Sequence, residues 1–265
     1  MKLDGCSALV TGASAGIGKE FARQLAKRAG AIVLVARREE RLNELRDELT
    51  LRDPNLEVYV RKTDLADLAQ VDELVAWLES EKIDVDLLIN NAGLGDHGPF
   101  ASSDPARNDE MLMVNVVALT SLPRKLLPSM IARKRGAILN VSSSAGFLPI
   151  PGMAVYAASK AYVNSFSEAL RAELRGTGLS VIALCPGPVH TEFGEIAKRP
   201  GREPERGPEF VYVSVEQVVR AALRATETDR PLVIPGLFMK LGMFLVRITP
   251  MPILRLTSRF SPKRA

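Results

Sequence analysis

A tyrosine and a lysine, Tyr156 and Lys160, stand four residues apart in a segment whose pattern predicts a helix. This spacing places the phenol and the ammonium on one face of that helix. A tyrosine loses its proton at a pH of about 10 and a nearby cation favours the phenolate, so the pair could act as general acid and base near neutral pH. Ser142, Ser143 and Ser144 could hydrogen-bond a carbonyl or an alcohol. Taken alone, such a Tyr–Lys pair is usually structural.

A glycine-rich segment follows the first apolar run and precedes a helical pattern. Its glycines let the backbone turn tightly and let a pyrophosphate approach without a clash with Cβ atoms. The free N–H groups and the positive end of the helix dipole would then hold the anion. The alternative is a simple tight turn. The segment predicts a dinucleotide site built from Gly12, Ser14, Ala15, Gly16, Ile17 and Gly18.

The end of the second predicted strand indicates which dinucleotide binds. An acidic residue usually stands here to bind the ribose, but this strand ends in Arg37 and Arg38. A guanidinium can hold a 2′-phosphate through charge-assisted hydrogen bonds, so we predict NADP(H), with NAD(H) as the alternative and Arg37 as the leading contact. Both arginines could instead be solvated residues at a helix start. Asp64 and Leu65, after the third strand, are expected at the adenine.

Short apolar runs separated by helical patterns must position these residues. Most of the runs are continuously apolar, as strands covered on both faces are. Their alternation with helices predicts an α/β fold, a doubly wound parallel sheet of the Rossmann type with about seven strands and helices on both faces. Two long helices are expected at 104–132, bent or broken at Pro123 and Pro128, and at 155–175. The predicted strands are 8–10, 32–36, 57–62, 87–90, 137–141, 181–185 and 232–234.

Length and composition favour one soluble domain. The chain has 265 residues, of which 46% are hydrophobic and 25% charged. We expect a single domain over 1–265, with a substrate lid near 191–213 and an apolar, basic C-terminal extension at 236–265. Within the lid, residues 194–208 are polar and rich in Gly and Pro, so they are expected to form a surface loop that closes over substrate.

Charge and residue counts exclude several classes of protein. The net charge is +4, but six of the 35 basic residues and none of the 31 acidic ones lie beyond residue 230, so no groove for nucleic acid is expected. Cys6 and Cys185 are expected to be buried thiols, and His97 and His190 loop histidines, so we predict no metal site. No secretory signal or membrane-spanning run is found, which favours the cytoplasm, with membrane association left open.

The motifs together resemble the short-chain dehydrogenase/reductase family over residues 5–235. The resemblance rests on TGASAGIG at 11–18, NNAG at 90–93, MVNV around Asn115, the serine run, YAASK at 156–160 and PGPVHT at 186–191. It implies Tyr156 as the general acid/base and Lys160 as the partner that lowers its pKa and binds the nicotinamide ribose. It further implies that Ser143 orients the substrate oxygen and that Asn115 joins a water-linked proton relay with Lys160.

The resemblance also implies further cofactor contacts and an assembly. Two sets of residues, one after the fourth strand and one after the sixth, would line the cofactor. The second set would contact the nicotinamide end, its carboxamide and the phosphates. Family members tend to form dimers and tetramers, which implies a homodimer or homotetramer here. The residues are Asn91, Ala92 and Gly93, then Pro186, Gly187, Val189 and Thr191.

The apolar residues near the site and in the tail suggest a lipophilic substrate. Residues 147–150 and Met153 lie between Ser143 and Tyr156, where they either line a substrate pocket or simply pack the loop. Residues 235–260 carry too much apolar surface to leave in water. They could cover the pocket, pack against another subunit, or lie on an anionic membrane. Their basic side chains could also simply extend from a protein surface.

These observations predict an NADP(H)-dependent oxidoreductase that interconverts a carbonyl and a secondary alcohol, on a lipophilic substrate. The cofactor would supply the hydride, and the protein would orient it and transfer one proton. One alternative is a membrane-peripheral acyl-chain or steroid reductase with the same chemistry. The other is a non-catalytic NADP(H)-binding sensor, against which the intact set of catalytic residues argues.

Overall fold

A computed structural model describes residues 1–199 and 209–259. Seven strands form one parallel sheet, as the sequence predicts, and the structure gives their order as β3-β2-β1-β4-β5-β6-β7. The inner strands are continuously apolar and buried because helices cover both faces. The strands are β1 (Ser7–Thr11), β2 (Ala31–Ala36), β3 (Glu57–Lys62), β4 (Leu87–Asn90), β5 (Gly136–Val141), β6 (Leu179–Leu184) and β7 (Leu232–Val233).

Helices on the two faces of the sheet bury two apolar cores. One core packs α1, α2 and α8 against the sheet, and the other packs α3, the α4–α5 segment and α6. The helices are α1 (Gly16–Leu25), α2 (Glu39–Arg52), α3 (Leu68–Ser80), α4 (Pro105–Leu112), α5 (Leu119–Arg133), α6 (Ala154–Glu173), α7 (Glu192–Ile196), α8 (Val215–Glu227), α9 (Leu237–Ile248) and α10 (Met251–Arg259).

The strand order reverses between β1 and β4, which are neighbours in the sheet. Crossovers from β1 run outward through β2 to β3, whereas those from β4 run the other way through β5 to β7. The loops at the carboxyl ends of β1 and β4 therefore diverge and leave a crevice. In open α/β sheets this crevice is where ligands bind.

The segment predicted as one helix broken by prolines is irregular at a different place. A π-helical turn, Met113–Ala118, joins α4 to α5, and α5 continues through both Pro123 and Pro128. Pro123 has no N–H to donate to the carbonyl of Leu119 one turn earlier. The side-chain amide of Asn90 donates to that carbonyl at 3.1 Å instead. This replacement hydrogen bond explains why the helix does not break at Pro123.

Candidate active site

One cavity of about 930 Å³ runs along the carboxyl ends of the strands. Its two ends are the glycine loop after β1 and the segment between β5 and α6, so a single crevice joins the predicted cofactor and catalytic residues. Of the predicted site residues, only Gly18 and Asn115 do not line the cavity. The predicted residues that line it are Gly12, Ser14, Ala15, Gly16, Ile17, Arg37, Arg38, Asp64, Leu65, Asn91, Ala92, Gly93, Ser143, Tyr156, Lys160, Pro186, Gly187, Val189 and Thr191.

The glycine loop is packed closely enough that side chains would not fit at two of its positions. A Cβ at Gly12 would lie 2.9 Å from Ala92 Cα, and the residue also has a φ of +66°. A Cβ at Gly18 would meet the carbonyl of Gly12 and lie 2.5 Å from Asn91 Nδ2. The loop therefore turns sharply against the end of β4, and the first turn of α1 faces the cavity. This geometry fits the pyrophosphate of a dinucleotide.

Thr11 ties the glycine loop to the segment after β4. Its Oγ1 accepts hydrogen bonds from the backbone N–H groups of Asn91 at 2.9 Å and Ala92 at 3.0 Å. The Asn91 amide in turn donates to the carbonyl of Thr11 at 2.9 Å. The side chain of Asn91 therefore faces the glycine loop and holds it against the segment after β4.

Asn115 lies in the π-helical turn with both ends of its amide occupied. Its Oδ1 accepts from the backbone N–H of Leu94 at 2.8 Å, and its Nδ2 donates to the Leu94 carbonyl at 2.9 Å and to Ser159 Oγ at 3.0 Å. A Cβ at Gly93 would lie 3.3 Å from Asn115 Oδ1 and 3.4 Å from Lys160 Nζ. Asn115 and Lys160 therefore approach each other across Gly93, and the water-linked relay between them stays a prediction.

Lys160 is a buried residue that lines the cavity. Its Nζ donates to the carbonyl of Val141 at the end of β5, at 2.9 Å, and lies 5.8 Å from the centre of the Tyr156 ring. Burial lowers the pKa of this ammonium to about 8, because the low-dielectric surroundings disfavour its charge. The lysine is therefore charged at neutral pH and would lose its proton at a mildly alkaline pH.

Tyr156 is buried in the cavity wall, and Ser143 also lines the cavity. Burial raises the pKa of the phenol above its usual value, and the bond to Ser143 opposes this rise. The lowering of this pKa by Lys160, which the resemblance implies, stays a prediction. The raised pKa keeps the phenol protonated at neutral pH, which is the state of a general acid.

The three serines before Tyr156 have different partners. Ser143 Oγ accepts from the backbone N–H of Ala145 at 3.1 Å, which holds the hydroxyl near the phenol. Ser142 Oγ donates to the carbonyl of Lys160 at 3.0 Å and is buried, so it joins β5 to α6. The backbone N–H of Ser144 donates to the carbonyl of Pro186. Of the three hydroxyls, that of Ser143 is the one beside the phenol.

The two arginines after β2 point in different directions. Arg37 Nη1 donates to Glu110 Oε1 at 2.6 Å and lies 3.9 Å from Asp64. Arg38 turns to the glycine loop, where its Nη2 donates to Ser14 Oγ at 3.1 Å. The contacts therefore bring Arg38 to the loop rather than Arg37, which the sequence suggested as the leading contact.

Asp64 and Leu65, which are expected at the adenine, follow β3 and line the crevice. Asp64 Oδ1 accepts from the backbone N–H of Ala66 at 3.0 Å, which closes a tight turn. Leu65 is buried and also lines the cavity. An apolar side chain beside a fixed carboxylate suits a flat, polar-edged base, and the contact itself stays a prediction.

The segment after β6 returns across the glycine loop. Thr191 Oγ1 accepts from the backbone N–H of Phe193 and begins α7. A Cβ at Gly16 would lie 3.3 Å from Thr191, so the two cofactor-lining loops nearly touch. Val189 packs against the core at the other end of this segment. Residues after β6 therefore lie across the crevice, close to the glycine loop.

The first half of the predicted surface loop is part of the cavity wall. Within residues 194–199, Ala197 is buried, and the carbonyl of Ala197 accepts from the backbone N–H of His97 at 3.0 Å. Phe193 lies 5.6 Å from Tyr156, measured between ring centres. Arg199 forms an ion pair with Asp96. Gly194, Glu195, Ile196 and Lys198 are exposed, as a surface segment should be, and Ala197 is the exception. Residues 200–208 lie outside the described part of the chain.

The catalytic end of the cavity is lined mainly by apolar side chains. Leu148, Ile150 and Met153 come from the loop before α6, and Met239 and Met243 come from α9. Met239 rests on Gly187, where a Cβ would lie 2.8 Å from its Cγ. Sequence reasoning found the first three residues; the two methionines could be placed in the tail but not at the site.

The outer face of α9 is apolar and exposed. Six large side chains on this helix are each more than half exposed, with Leu237 at 79%. In the described residues, we find no helix with the length and apolar character needed to cross a membrane. The exposed side chains, which we call the α9 outer face, are Leu237, Phe238, Leu241, Phe244, Leu245 and Ile248.

The cysteines and histidines take no part in the catalytic cluster. Cys6 and Cys185 are buried, and burial raises their thiol pKa values to about 11 and about 12. His190 stacks on Tyr212 with 4.2 Å between ring centres and bonds Glu209 at 2.9 Å. Among the described residues, no three His, Cys, Asp or Glu side chains form a metal-binding group.

Comparison with known proteins finds a family and several relatives that this chain is similar to. The profile of the short chain dehydrogenase family matches residues 7–200. The very-long-chain 3-oxoacyl-CoA reductase of Anas platyrhynchos is 34% identical over 224 residues, which cover 83% of this chain and 68% of that protein. The NADP-dependent 3-hydroxy acid dehydrogenase of Escherichia coli is 37% identical over 195 residues, covering 71% and 75%.

A solved structure extends the likeness to nearly the whole chain. A short-chain dehydrogenase from Sphingobium yanoikuyae, determined in complex with NADPH, has a TM-score of 0.82 and 31% identity. The alignment covers 98% of both chains.

Proposed function

The chain belongs to the short-chain dehydrogenase/reductase family, and from this membership we propose that its site interconverts a carbonyl and a secondary alcohol on a lipophilic substrate. It is an NAD(P)-dependent oxidoreductase acting on CH–OH groups, with NADP(H) as the preferred cofactor and NAD(H) as the alternative. The observation that carries the proposal is the single crevice that joins the glycine loop to Tyr156 and Ser143.

The cofactor would bind along the crevice with its pyrophosphate at the glycine loop. Arg38 and Ser14, which contact each other at the glycine loop, would hold a 2′-phosphate, and Lys160, which lines the cavity, would bind the nicotinamide ribose. When bound, the nicotinamide supplies or accepts the hydride, and its oxidised ring carries a positive charge that favours the phenolate of Tyr156.

In the direction of reduction, Tyr156 is the proton donor. As hydride reaches the carbonyl carbon, the carbonyl oxygen gains negative charge and takes the proton from Tyr156 Oη. The hydroxyl of Ser143, held by the N–H of Ala145, donates a hydrogen bond to the same oxygen. Oxidation of an alcohol runs the same transfers in reverse.

Two observations support a lipophilic substrate. The wall next to Tyr156 is built from leucine, isoleucine and methionine side chains, and Phe193 closes the cavity above the phenol. When apolar groups of a substrate are buried against such a surface, binding is favoured by about 25 cal/mol per Å² of apolar area removed from water. The avian relative is by its name a reductase of very-long-chain acyl compounds, which is consistent with this class.

A panel of carbonyl compounds with NADPH tests the proposal. We expect oxidation of NADPH with bulky apolar ketones or 3-oxoacyl thioesters, and little with small polar ketones. Binding of NADPH without turnover on any member of the panel would favour the non-catalytic sensor instead. Preference for small polar ketones would reject the lipophilic substrate but leave the reaction class intact.

The α9 outer face favours membrane-peripheral binding for this reductase. Lys240, Arg247 and Arg255 accompany its apolar side chains, and residues 231–265 contain no acidic residue. In a symmetric dimer through this surface, like charges would face one another, whereas an anionic membrane would bind both the apolar and the basic groups. The inner side of the same helix carries Met239 and Met243 of the substrate wall. The homodimer or homotetramer stays a prediction, which light scattering tests.

A further inference from the structure

A carboxylate lies across the arginines at the adenine end of the crevice. Glu192, the first residue of α7, accepts from Arg41 Nη1 with both oxygens at 2.8 Å and from Arg38 Nη1 at 3.1 Å. The same Arg38 guanidinium donates to Ser14 Oγ in the glycine loop. Arg38 therefore stands between the loop that would receive the cofactor and the helix that covers it.

Glu192 is ionised at neutral pH. Hydrogen bonds from Arg41 and then Arg38 hold the pKa of its carboxyl below the usual value. Arg37, by contrast, is paired with Glu110 on α4. Arg38, whose guanidinium donates to Ser14, is thus already engaged by a carboxylate of the chain itself.

We propose that Glu192 is a specificity-determining residue, which competes with the 2′-phosphate of NADP(H) for Arg38. A phosphate and a carboxylate accept the same charge-assisted hydrogen bonds from guanidinium groups. A phosphate that binds beside Ser14 must either displace Glu192 from Arg38 or share Arg38 with it. Sharing weakens phosphate binding because the two negative groups repel each other. NAD(H) has a ribose hydroxyl at this position and leaves the Glu192 contacts in place. The inference rests on the proposed binding of NADP(H) at this loop.

The position of Glu192 also links the cofactor to the segment 192–199. The next residue, Phe193, lies against Tyr156, and the far end of the segment is held by Arg199 and Asp96. If a 2′-phosphate released Glu192, the start of α7 would lose these ion pairs, whereas the ion pair of Arg199 with Asp96 would remain. NADP(H) and NAD(H) therefore leave different contacts at the cover of the catalytic cavity.

The test measures binding to the full-length protein and its Glu192→Gln variant by calorimetry. The ligands are NADP⁺, NAD⁺, adenosine 2′,5′-bisphosphate and 5′-AMP. We expect the variant to bind NADP⁺ and the bisphosphate about two- to five-fold more tightly, the range of an exposed ion pair, with unchanged affinity for NAD⁺ and 5′-AMP.

Glu195→Gln provides the matched control. Glu195 lies on the same short helix and pairs only weakly with Lys198, at 3.8 Å. An equal gain in that variant, equal gains for NAD⁺ and NADP⁺, or no gain for NADP⁺ in Glu192→Gln would each overturn the competition. If the unaltered protein does not distinguish NADP⁺ from NAD⁺, the proposed cofactor preference fails; if it does and Glu192→Gln keeps the same ratio, only this inference fails.

Discussion

Asn90 supplies the hydrogen bond that Pro123 cannot make. Its amide reaches the Leu119 carbonyl at 3.1 Å and also donates to Asn140 Oδ1 at 3.0 Å, inside the sheet. We expect Asn90→Ala to lower the free energy of unfolding by about 1–3 kcal/mol, since it leaves buried acceptors without a donor. Urea unfolding followed by circular dichroism measures this.

A double-mutant cycle separates this role from general packing. Pro123→Ala restores an N–H that can reach the Leu119 carbonyl. Asn90→Ala should therefore cost less in the Pro123→Ala background than in the native sequence. Equal costs in both backgrounds would show that Asn90 does not compensate for the proline.

Removal of the Tyr156 hydroxyl should separate chemistry from binding. Tyr156→Phe keeps the buried ring and its contact with Phe193 but removes the proton donor. We expect the rate of NADPH oxidation to fall by at least about 10²-fold, with the dissociation constant of NADPH nearly unchanged. Substantial remaining turnover would move the proton donor to another group.

The two arginines after β2 should differ in their effect on cofactor choice. Arg38 contacts Ser14 of the glycine loop, whereas Arg37 is paired with Glu110. We expect Arg38→Gln to weaken NADPH binding by about ten-fold or more with little change for NADH, because a charge-assisted hydrogen bond to the phosphate is lost. Arg37→Gln is the control and should cost less. A larger loss in Arg37→Gln would return the leading role to Arg37.

The buried ammonium of Lys160 should make stability depend on alkaline pH. Its folded pKa of about 8 lies below the usual 10.5, so between these values the unfolded chain holds a proton that the folded chain has lost. Stability relative to a Lys160→Met variant should therefore rise from about pH 8 to about pH 10, and stay level below about pH 8. The full rise is on the order of 3 kcal/mol. A flat difference across this window would place the lysine in contact with solvent.

The α9 outer face should bind anionic vesicles. We expect the full-length protein to sediment with vesicles of phosphatidylglycerol and phosphatidylcholine, and less at high salt. Leu241→Glu with Phe244→Glu should abolish this binding. Leu51→Glu is the control, since Leu51 is 85% exposed on α2, away from the tail. Loss of a dimer in the double variant, without vesicle binding by the native protein, would make this face a subunit interface.

The sequence predicted the sheet well because its strands are apolar on both faces. Runs such as β2 and β5 have no alternation that could be confused with an exposed edge, and the strands appear within two residues of their expected ends. The glycine loop was also predictable, because Gly12 and Gly18 stand where no side chain fits. Both signals are local in the chain.

What the sequence did not predict depends on contacts between distant segments. Glu192 meets Arg41 across 151 positions, and no local pattern marks either residue as a partner. Residues 194–199 are polar in composition, yet Ala197 is buried because the segment packs against the loop after β4. The rise in the pKa of Tyr156 comes first from burial, which only the folded chain sets.

The contact between Met239 and Gly187 makes the tail inseparable from the reaction centre. Deleting the last helices to improve solubility would strip a methionine from the nicotinamide-side loop and open the pocket to water. The role of the tail is therefore best studied through single side-chain exchanges rather than by deletion.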